Sequence, residues 1–168
     1  PDAKTTLAFV DNDETGDRSF SFYRKPGADM MLREDEVNYE LIDNCRIFHF
    51  GSLSMTDEPV RSATYAMVDY AKKKNKIISF DPNLRPPLWE SEELAAKQIW
   101  YGIEQCDILK IADNEIEWLT GANDYDKGIE IIRERTHAKL INVTLGPNGS
   151  IAYYGDHKVF MEPYLNKD

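Results

Sequence analysis

Three polar side chains of different chemistry follow a short apolar strand near the middle of the chain. Asp81, Asn83 and Arg85 come shortly after Ile77-Ile78. They alternate, so in an extended segment they point to the same side. The segment 79–89 contains three prolines, which exclude a helix and stiffen the loop. A carboxylate, an amide and a guanidinium on such a loop can bind polyols and phosphates. We therefore predict a binding loop, with a purely structural proline-bounded loop as the alternative.

A second polar group lies at the start of a predicted helix. Asn114 and Glu117 are three residues apart and share a helix face. An amide and a carboxylate there can position waters on a Mg²⁺ ion that bridges nucleotide phosphates. The alternative is a first-turn glutamate that offsets the helix dipole. Lys110, near the end of the preceding strand, is a phosphate candidate or else a lysine that extends along an apolar edge.

A glycine-rich turn follows the last strand of this series. Thr144, Gly146 and Gly149 surround a tight turn that lets backbone amides approach a phosphate or a base. The alternative is an ordinary hairpin turn, because Asn148-Gly149 is a strong turn signal. The segment is not a Walker loop, since no Gly-Lys-Ser/Thr follows it.

The elements that carry these residues alternate between strand and helix. Apolar strands are predicted at 47–50, 76–80, 107–111 and 139–145, with helices at 56–75, 91–105, 113–121 and 124–136. This order predicts a parallel sheet with right-handed crossovers. The polar residues all follow strand ends, so they share the carboxyl edge, where open α/β sheets bind ligands. Gly51, Ser52 and Ser54 follow the first of these strands, so four loops meet at this edge, and together they favour a site more than any one loop does.

Shorter elements precede and follow this core. Residues 5–10 and 18–24 predict one β-hairpin, joined by a polar turn at 11–17, and residues 150–154 and 158–161 predict another. Residues 33–44 predict a short helix. His49, within a predicted buried strand, is expected to be a core histidine with its hydrogen bonds satisfied.

Composition restricts the possible functions. The 168 residues contain 30 Asp and Glu against 20 Lys and Arg, a net charge of −10. This argues against nucleic acid or an anionic membrane as a partner, but it permits a small anionic ligand held by a few cations. No apolar run approaches membrane-spanning length, and the two cysteines lack metal or redox spacing. We therefore expect a soluble, cytoplasmic protein.

The motifs in this order resemble the fructokinase branch of the ribokinase-like (PfkB) carbohydrate kinases, over nearly the whole chain. The most specific match is Asp81-Pro82-Asn83-Leu84-Arg85 with Leu88-Trp89. The other matching segments are Thr6-Leu7-Ala8-Phe9-Val10, Gly16-Asp17-Arg18-Ser19-Phe20, Phe22-Tyr23-Arg24, Ala28-Asp29, Asn114-x-x-Glu117 and Thr144-Leu145-Gly146-x-x-Gly149.

The resemblance implies an enzyme that transfers the γ-phosphate of ATP to a ketose hydroxyl with Mg²⁺. It implies a ribokinase-like α/β fold, with residues 1–30 as part of a small β-lid over the sugar and 31–168 as part of the nucleotide- and sugar-binding core. A homodimer through the lid is a further implication. The implied sugar-side residues are Phe22, Arg24, Asp81 and Arg85. The implied phosphate and nucleotide residues are Asn83, Lys110, Thr144, Gly146 and Gly149. Asn114 and Glu117 would hold Mg²⁺ through water.

Two departures from the family pattern limit this expectation. The Gly-Ala-Gly-Asp motif, which carries the family's catalytic aspartate, is absent, and so is the N-terminal Gly-Gly-x-x-x-Asn segment. We therefore expect the middle part of a longer enzyme, inactive by itself and incompletely folded because sheet edges stay open. A 2-keto-3-deoxygluconate or related sugar kinase is one alternative, and a non-catalytic α/β sugar-binding module is the other.

Overall fold

The computed structural model describes residues 3–12 and 18–164. The strands are β1 (Leu7–Asn12), β2 (Arg18–Tyr23), β3 (Ile47–Gly51), β4 (Ile77–Asp81), β5 (Ile108–Ala112), β6 (Leu140–Thr144), β7 (Ser150–Tyr154) and β8 (His157–Met161). The α-helices are α1 (Tyr39–Asp43), α2 (Val60–Lys73), α3 (Glu92–Gln105), α4 (Asp113–Thr120) and α5 (Tyr125–Arg133). None of the helices in these two ranges has the length and apolar character needed to cross a membrane.

The strands form a two-stranded hairpin and a six-stranded sheet. β1 and β2 pair antiparallel. The large sheet has the order β3-β4-β5-β6-β7-β8, in which β3 to β6 are parallel and the last two strands are antiparallel. The predicted α/β class, parallel core and second hairpin are confirmed. Most of the predicted turn at 11–17 lies outside the described residues, although Asp11 and Asn12 continue β1.

Alternation along the central strands buries one face of the sheet. The side chains on that face are almost fully buried: Ile78, Phe80, Leu109, Ile111, Ile141 and Val143. Apolar residues of α2, α3, α4 and α5 join the same core cluster. The alternate residues point to the opposite face and are half-buried or exposed, among them Ile77, Ser79, Lys110 and Asn142. The described helices therefore cover one face of the sheet.

Two helices differ from their predicted ranges: one begins later than predicted and the other is interrupted. The helix predicted at 56–75 begins at Val60, after a 3₁₀ turn at Ser52–Met55 and the N-cap residue Pro59. The helix predicted at 33–44 consists of a 3₁₀ turn at Glu34–Glu36 and α1. Asn38 separates them, because its side chain accepts a hydrogen bond from the backbone N–H of Glu40 and so caps α1.

The prediction of a buried His49 is wrong. The side chain is exposed, and its Nδ1 lies 3.1 Å from Ser79 Oγ on the neighbouring strand. β3 is an edge strand of the sheet. Because successive side chains alternate, His49 points to the uncovered face, whereas its neighbour Phe50 points to the buried face. The strand was predicted correctly, but its two faces differ in burial.

The close approach of α3 to β4 gives a test of this packing. A Cβ atom on Gly102 would lie 2.3 Å from Cζ of the fully buried Phe80. Gly102→Ala gains about 1 kcal/mol in helix propensity but overpacks the core at a cost of about 1–3 kcal/mol, and a clash this short puts the cost at the upper end. We expect a net loss of about 1–2 kcal/mol in urea unfolding. Lys97→Ala, at an exposed position of the same helix, is the control. A Gly102→Ala protein as stable as the parent would contradict this packing.

Candidate active site

The predicted polar residues converge at the carboxyl edge of the parallel strands. β4 ends at Asp81 and β5 at Ala112, and the loop after β4 faces the start of α4. Between them lies a cavity of about 370 Å³. Its lining includes four of the predicted site residues: Asn83, Arg85, Lys110 and Asn114. The sheet-edge argument therefore brings residues from three separate motifs to one cavity.

Asp81 and Lys110 form an ion pair beside this cavity. Lys110 Nζ lies 3.2 Å from one carboxylate oxygen and 3.3 Å from the other. The lysine side chain is 38% exposed and the aspartate 25% exposed, so the pair lies at the surface of the cavity rather than in the core. An ammonium has three donors, and it can bind an anion while it contacts a carboxylate.

The loop after β4 is more tightly turned than the sequence predicts. Asn83 has a φ of 45°, in the left-handed region, so Asp81, Asn83 and Arg85 do not follow one uniformly extended path. The Asp81 carboxylate accepts a hydrogen bond of 3.2 Å from the backbone N–H of Asn83, as in an Asx turn. Asn83 and Arg85 nevertheless line the same cavity.

Arg85 connects this loop to the hairpin. Its guanidinium carbon lies 4.7 Å from the centre of the Phe20 ring, a cation–π contact. One guanidinium nitrogen also donates to the carbonyl of Leu84 at 2.9 Å. Arg85 therefore contacts both the cavity and β2.

Glu115 is a residue that the sequence reasoning missed. Its carboxylate accepts hydrogen bonds from the backbone N–H groups of Leu84, at 2.7 Å, and Ala112, at 2.9 Å. Only 8% of the residue is exposed, and it lines the cavity. A glutamate at the third position of a helix is a capping signal, but the cap residue here is Ala112 rather than Ser or Thr.

The two proposed magnesium residues differ in position. Asn114 lines the cavity, whereas Glu117 is exposed one turn further along α4 and is outside the cavity lining. Within residues 3–12 and 18–164, no group of three or more His, Cys, Asp or Glu side chains is arranged to hold a metal ion.

The glycine turn lies at the end of β6, next to the same edge. Thr144 is paired with Ala112 of β5. Gly146 has a φ of 56° and open space where a Cβ would be, so its backbone is accessible. Gly149 has a φ of 96°, and a Cβ there would lie 2.2 Å from the Met161 carbonyl oxygen. The packing against β8 therefore requires a glycine at position 149, independently of any role in ligand binding. Neither glycine lines the 370 Å³ cavity.

Phe22 and Arg24 line a separate cavity of about 760 Å³ under the hairpin. Arg24 is 8% exposed, and its guanidinium is hydrogen-bonded to other parts of the chain. It donates to Asp29 at 2.7 Å, to Thr56 Oγ1 at 2.9 Å and to the Leu53 carbonyl at 2.8 Å. Arg24 therefore joins the end of β2 to the segment before α2.

The Asp29 carboxylate completes this network. It also accepts a hydrogen bond from the Thr6 hydroxyl. Burial alone would raise the pKa of Asp29, but the hydrogen bonds from Thr6 and Arg24, together with the charge of Arg24, lower that pKa below its ordinary value. The ion pair is consequently kept in its charged form over most of the pH range.

Comparison with known proteins identifies the family. The model of the pfkB family of carbohydrate kinases matches residues 1–167. This chain belongs to that family.

Relatives with curated names are fructokinases. Probable fructokinase-2 of Arabidopsis thaliana is 44% identical over 162 residues, which are 96% of this chain and 49% of that protein. Fructokinase-2 of Solanum lycopersicum is 43% identical over 151 residues, 90% of this chain and 46% of that protein. The chain thus spans about half the length of these two relatives.

Solved structures give the same fold. The fructokinase of Xylella fastidiosa with bound ATP superposes with a TM-score of 0.84 and 34% identity, over 98% of this chain and 51% of that one. The fructokinase of Vibrio cholerae O395 in its fructose, ADP and calcium ion bound form gives a TM-score of 0.88 and 28% identity, over 99% of this chain and 53% of that one. The expected ribokinase-like fold is confirmed.

A substitution of the buried Arg24 tests whether its hydrogen bonds anchor the β1–β2 hairpin. We expect Arg24→Lys to lower the free energy of unfolding by about 2–3 kcal/mol, because a lysine ammonium lacks the planar arrangement of donors with which the guanidinium reaches three separate acceptors. Urea unfolding measures the loss, and Arg33→Lys, at an exposed ion pair with Asp35, is the control. An equal, small effect of both changes would contradict the anchoring role of Arg24.

The lowered pKa of Asp29 predicts a pH dependence with a definite sign. Its contribution to stability is complete above the unfolded pKa of about 4 and is lost as the pH falls through the lower folded pKa. Asp29→Asn removes this contribution, so the stability difference between the two proteins should be largest near neutral pH and shrink toward about pH 2. Thermal unfolding at several pH values measures it. A difference that stays constant with pH would contradict the assignment.

Proposed function

We propose that this chain is part of an ATP-dependent sugar kinase that transfers the γ-phosphate of ATP to a hydroxyl of fructose. Membership of the pfkB family and fructokinase relatives at 43–44% identity support this proposal. The observation that carries it is the cavity at the carboxyl edge, where Asn83, Arg85 and Lys110 supply an amide and two cations. Such a set binds phosphate groups, and one of the similar structures contains ATP.

Each group of site residues has its own proposed role in the reaction. Lys110 and Asn83 bind the phosphate chain, and Thr144, Gly146 and Gly149 border the nucleotide. Phe22, Arg24, Asp81 and Arg85 border the sugar, and Arg85, which also lines the phosphate cavity, lies between the sugar and the phosphate that is transferred to it. In the reaction, a sugar hydroxyl oxygen forms a bond to the γ-phosphorus, the bond from that phosphorus to the bridging oxygen of ADP breaks, and the hydroxyl proton passes to a base. The family motif that carries this base is absent from the present sequence.

Magnesium is the proposed metal cofactor. Asn114 and Glu117 supply the oxygen donors that Mg²⁺ prefers, and both are exposed at the start of α4. The small number of protein donors in the described region fits an ion that is held largely by water and phosphates. When bound, the ion neutralises charge on the transferring phosphate.

The hairpin is proposed to be a lid and a dimer contact. Four of its apolar side chains are more than half exposed: Leu7, Phe9, Val10 and Tyr23. Exposed apolar surface of this kind favours association with a second copy. We also propose a cytoplasmic protein without nucleic-acid or membrane partners, which fits the net charge of −10 and two free cysteines.

A panel of sugars tests the substrate. We expect the full-length protein that carries this chain to phosphorylate fructose with ATP and Mg²⁺, and we expect the 168-residue chain to show no activity. Activity with 2-keto-3-deoxygluconate but not with fructose would favour the alternative kinase. Sugar binding without any phosphorylation would favour a non-catalytic module.

Arg85→Ala separates a role in binding from a role in folding. We expect kcat/KM for fructose phosphorylation to fall about 100-fold, as is typical when one positioned donor is removed, while urea unfolding changes little. Arg33→Ala, at an exposed arginine that is not part of the cavity lining, should leave both measurements unchanged. Parallel losses of turnover and stability for Arg85→Ala would favour the structural interpretation of this loop.

A further inference from the structure

The 3₁₀ turn after β3 is hydrogen-bonded to the loop after β4 through its first residue, Ser52. This serine is fully buried, and both its backbone N–H and its hydroxyl donate hydrogen bonds to the carbonyl of Pro82. The backbone bond is 3.3 Å long, which is longer than the usual range for an N–H donor. The hydroxyl therefore supplies a second bond to one carbonyl oxygen, which has lone pairs for two donors.

The proline at position 82 explains why this hydroxyl matters. Parallel pairing of β3 with β4 extends to Gly51 and Asp81. Pro82 comes next, and it has no N–H group with which to continue the ladder. The N–H of Asn83 is donated to the Asp81 carboxylate and not to the neighbouring strand. The next backbone hydrogen bond between the two segments is therefore the one that the Pro82 carbonyl accepts from Ser52.

The rest of the turn segment, defined here as residues 52–56, is attached to the hairpin and to α2. Arg24 at the end of the hairpin donates to the Leu53 carbonyl at 2.8 Å and to Thr56 Oγ1 at 2.9 Å. Arg61 of α2 donates to the Thr56 carbonyl at 2.6 Å. One short segment therefore joins the hairpin, the helical layer and the loop after β4.

We propose that Ser52 is a positioning residue that sets the phosphate side of the site against the sugar side. It fixes the Pro82 carbonyl, and with it the point at which Asn83 and Arg85 turn into the cavity. The same segment holds the hairpin through Arg24. Ser52 acts through the backbone, since it is not part of the cavity lining. The proposal rests on the proposed kinase function for its substrates, but the structural link itself can be measured separately.

Amide hydrogen exchange of the full-length protein, measured by NMR, tests the link without any substrate. Ser52→Ala removes the hydroxyl donor and keeps the backbone bond. We expect protection of the N–H groups at position 52 and at Asn83 to fall about 10-fold or more, because the end of the β3–β4 pairing opens locally. Protection of Ile111 and Val143, which are paired in the β5–β6 ladder, should stay unchanged. Unchanged protection at all four positions, or an equal fall at all four, would overturn the link.

Kinetics of the same variant test the positioning role. We expect Ser52→Ala to lower kcat for fructose phosphorylation about 10- to 100-fold, with KM for fructose within about twofold, because the loop is displaced relative to a bound sugar. Ser52→Cys, which keeps a weak donor, should have a kcat between those of the other two proteins.

Thr136→Val is the matched control. It removes a half-buried hydroxyl that donates to the Ile103 carbonyl at 2.7 Å, 33 residues away in sequence and before the start of β6. This variant should unfold at a lower urea concentration than the unsubstituted protein but keep kcat within about twofold of it.

The outcomes separate the two proposals. A kcat of Ser52→Ala within about twofold of the unsubstituted protein would overturn the positioning role, as would a loss that lies wholly in KM for fructose or an equal loss in Thr136→Val. If Ser52→Ala does not fold, Ser52→Cys takes its place in both experiments under the same criteria. If the unsubstituted protein phosphorylates no sugar, the kinase proposal fails, and the protection at position 52 and at Asn83 still decides whether Ser52 holds the loop.

Discussion

The parallel pairing of the central strands is the constraint on which the site depends. Because successive side chains of a strand alternate, burial of Ile78 and Phe80 under the helices directs Ser79 and Asp81 to the other face. The parallel direction then brings the ends of β4, β5 and β6 to one edge. A shift of one residue in β4 or β5 would exchange the buried and open faces of that strand and move Lys110 away from Asp81.

Two buried ionisable groups hold the remaining parts to this sheet. Arg24 and Glu115 are each 8% exposed, and each is hydrogen-bonded to a segment that lies about 30 residues away in sequence. Arg24 attaches the hairpin and Glu115 attaches the loop after β4. A buried charge tolerates little displacement of its partners, because any lost hydrogen bond leaves it uncompensated. These two residues therefore position the loops more strictly than apolar contacts alone would.

The strands and helix ends that depend on neighbouring residues could be predicted from the sequence. The four parallel strands, the start of α3 after Ser91 and the end of α4 before Gly121 follow from residue type and period. The structure contains them, with each of the four strand ends displaced by one residue. The grouping of Asn83, Arg85, Lys110 and Asn114 was also predictable, because the carboxyl-edge rule needs only the order of strands and helices.

The errors and omissions arise from long-range contacts. His49 was predicted to be buried because the apolar strand around it gives no information about which face the helices cover. The role of Glu115 depends on Leu84, 31 residues away, and the hydrogen bonds of Arg24 reach Leu53 and Thr56, 29 and 32 residues away. The positive φ of Asn83 follows from the turn that the Asp81 carboxylate closes, and alternation alone does not indicate it.

The contacts of Arg85 show how the hairpin and the cavity can cooperate. A partly exposed cation–π contact such as that with Phe20 contributes about 0.5–1 kcal/mol, whereas a hydrogen bond between a guanidinium and an anion contributes about 1.5–3 kcal/mol. The contact with the hairpin would therefore be too weak to keep Arg85 from the phosphate that we propose for the cavity it lines. The stronger anchors are elsewhere, at Arg24 for the hairpin and at Glu115 for the loop, so the segments stay in place while the Arg85 side chain remains free to change partner.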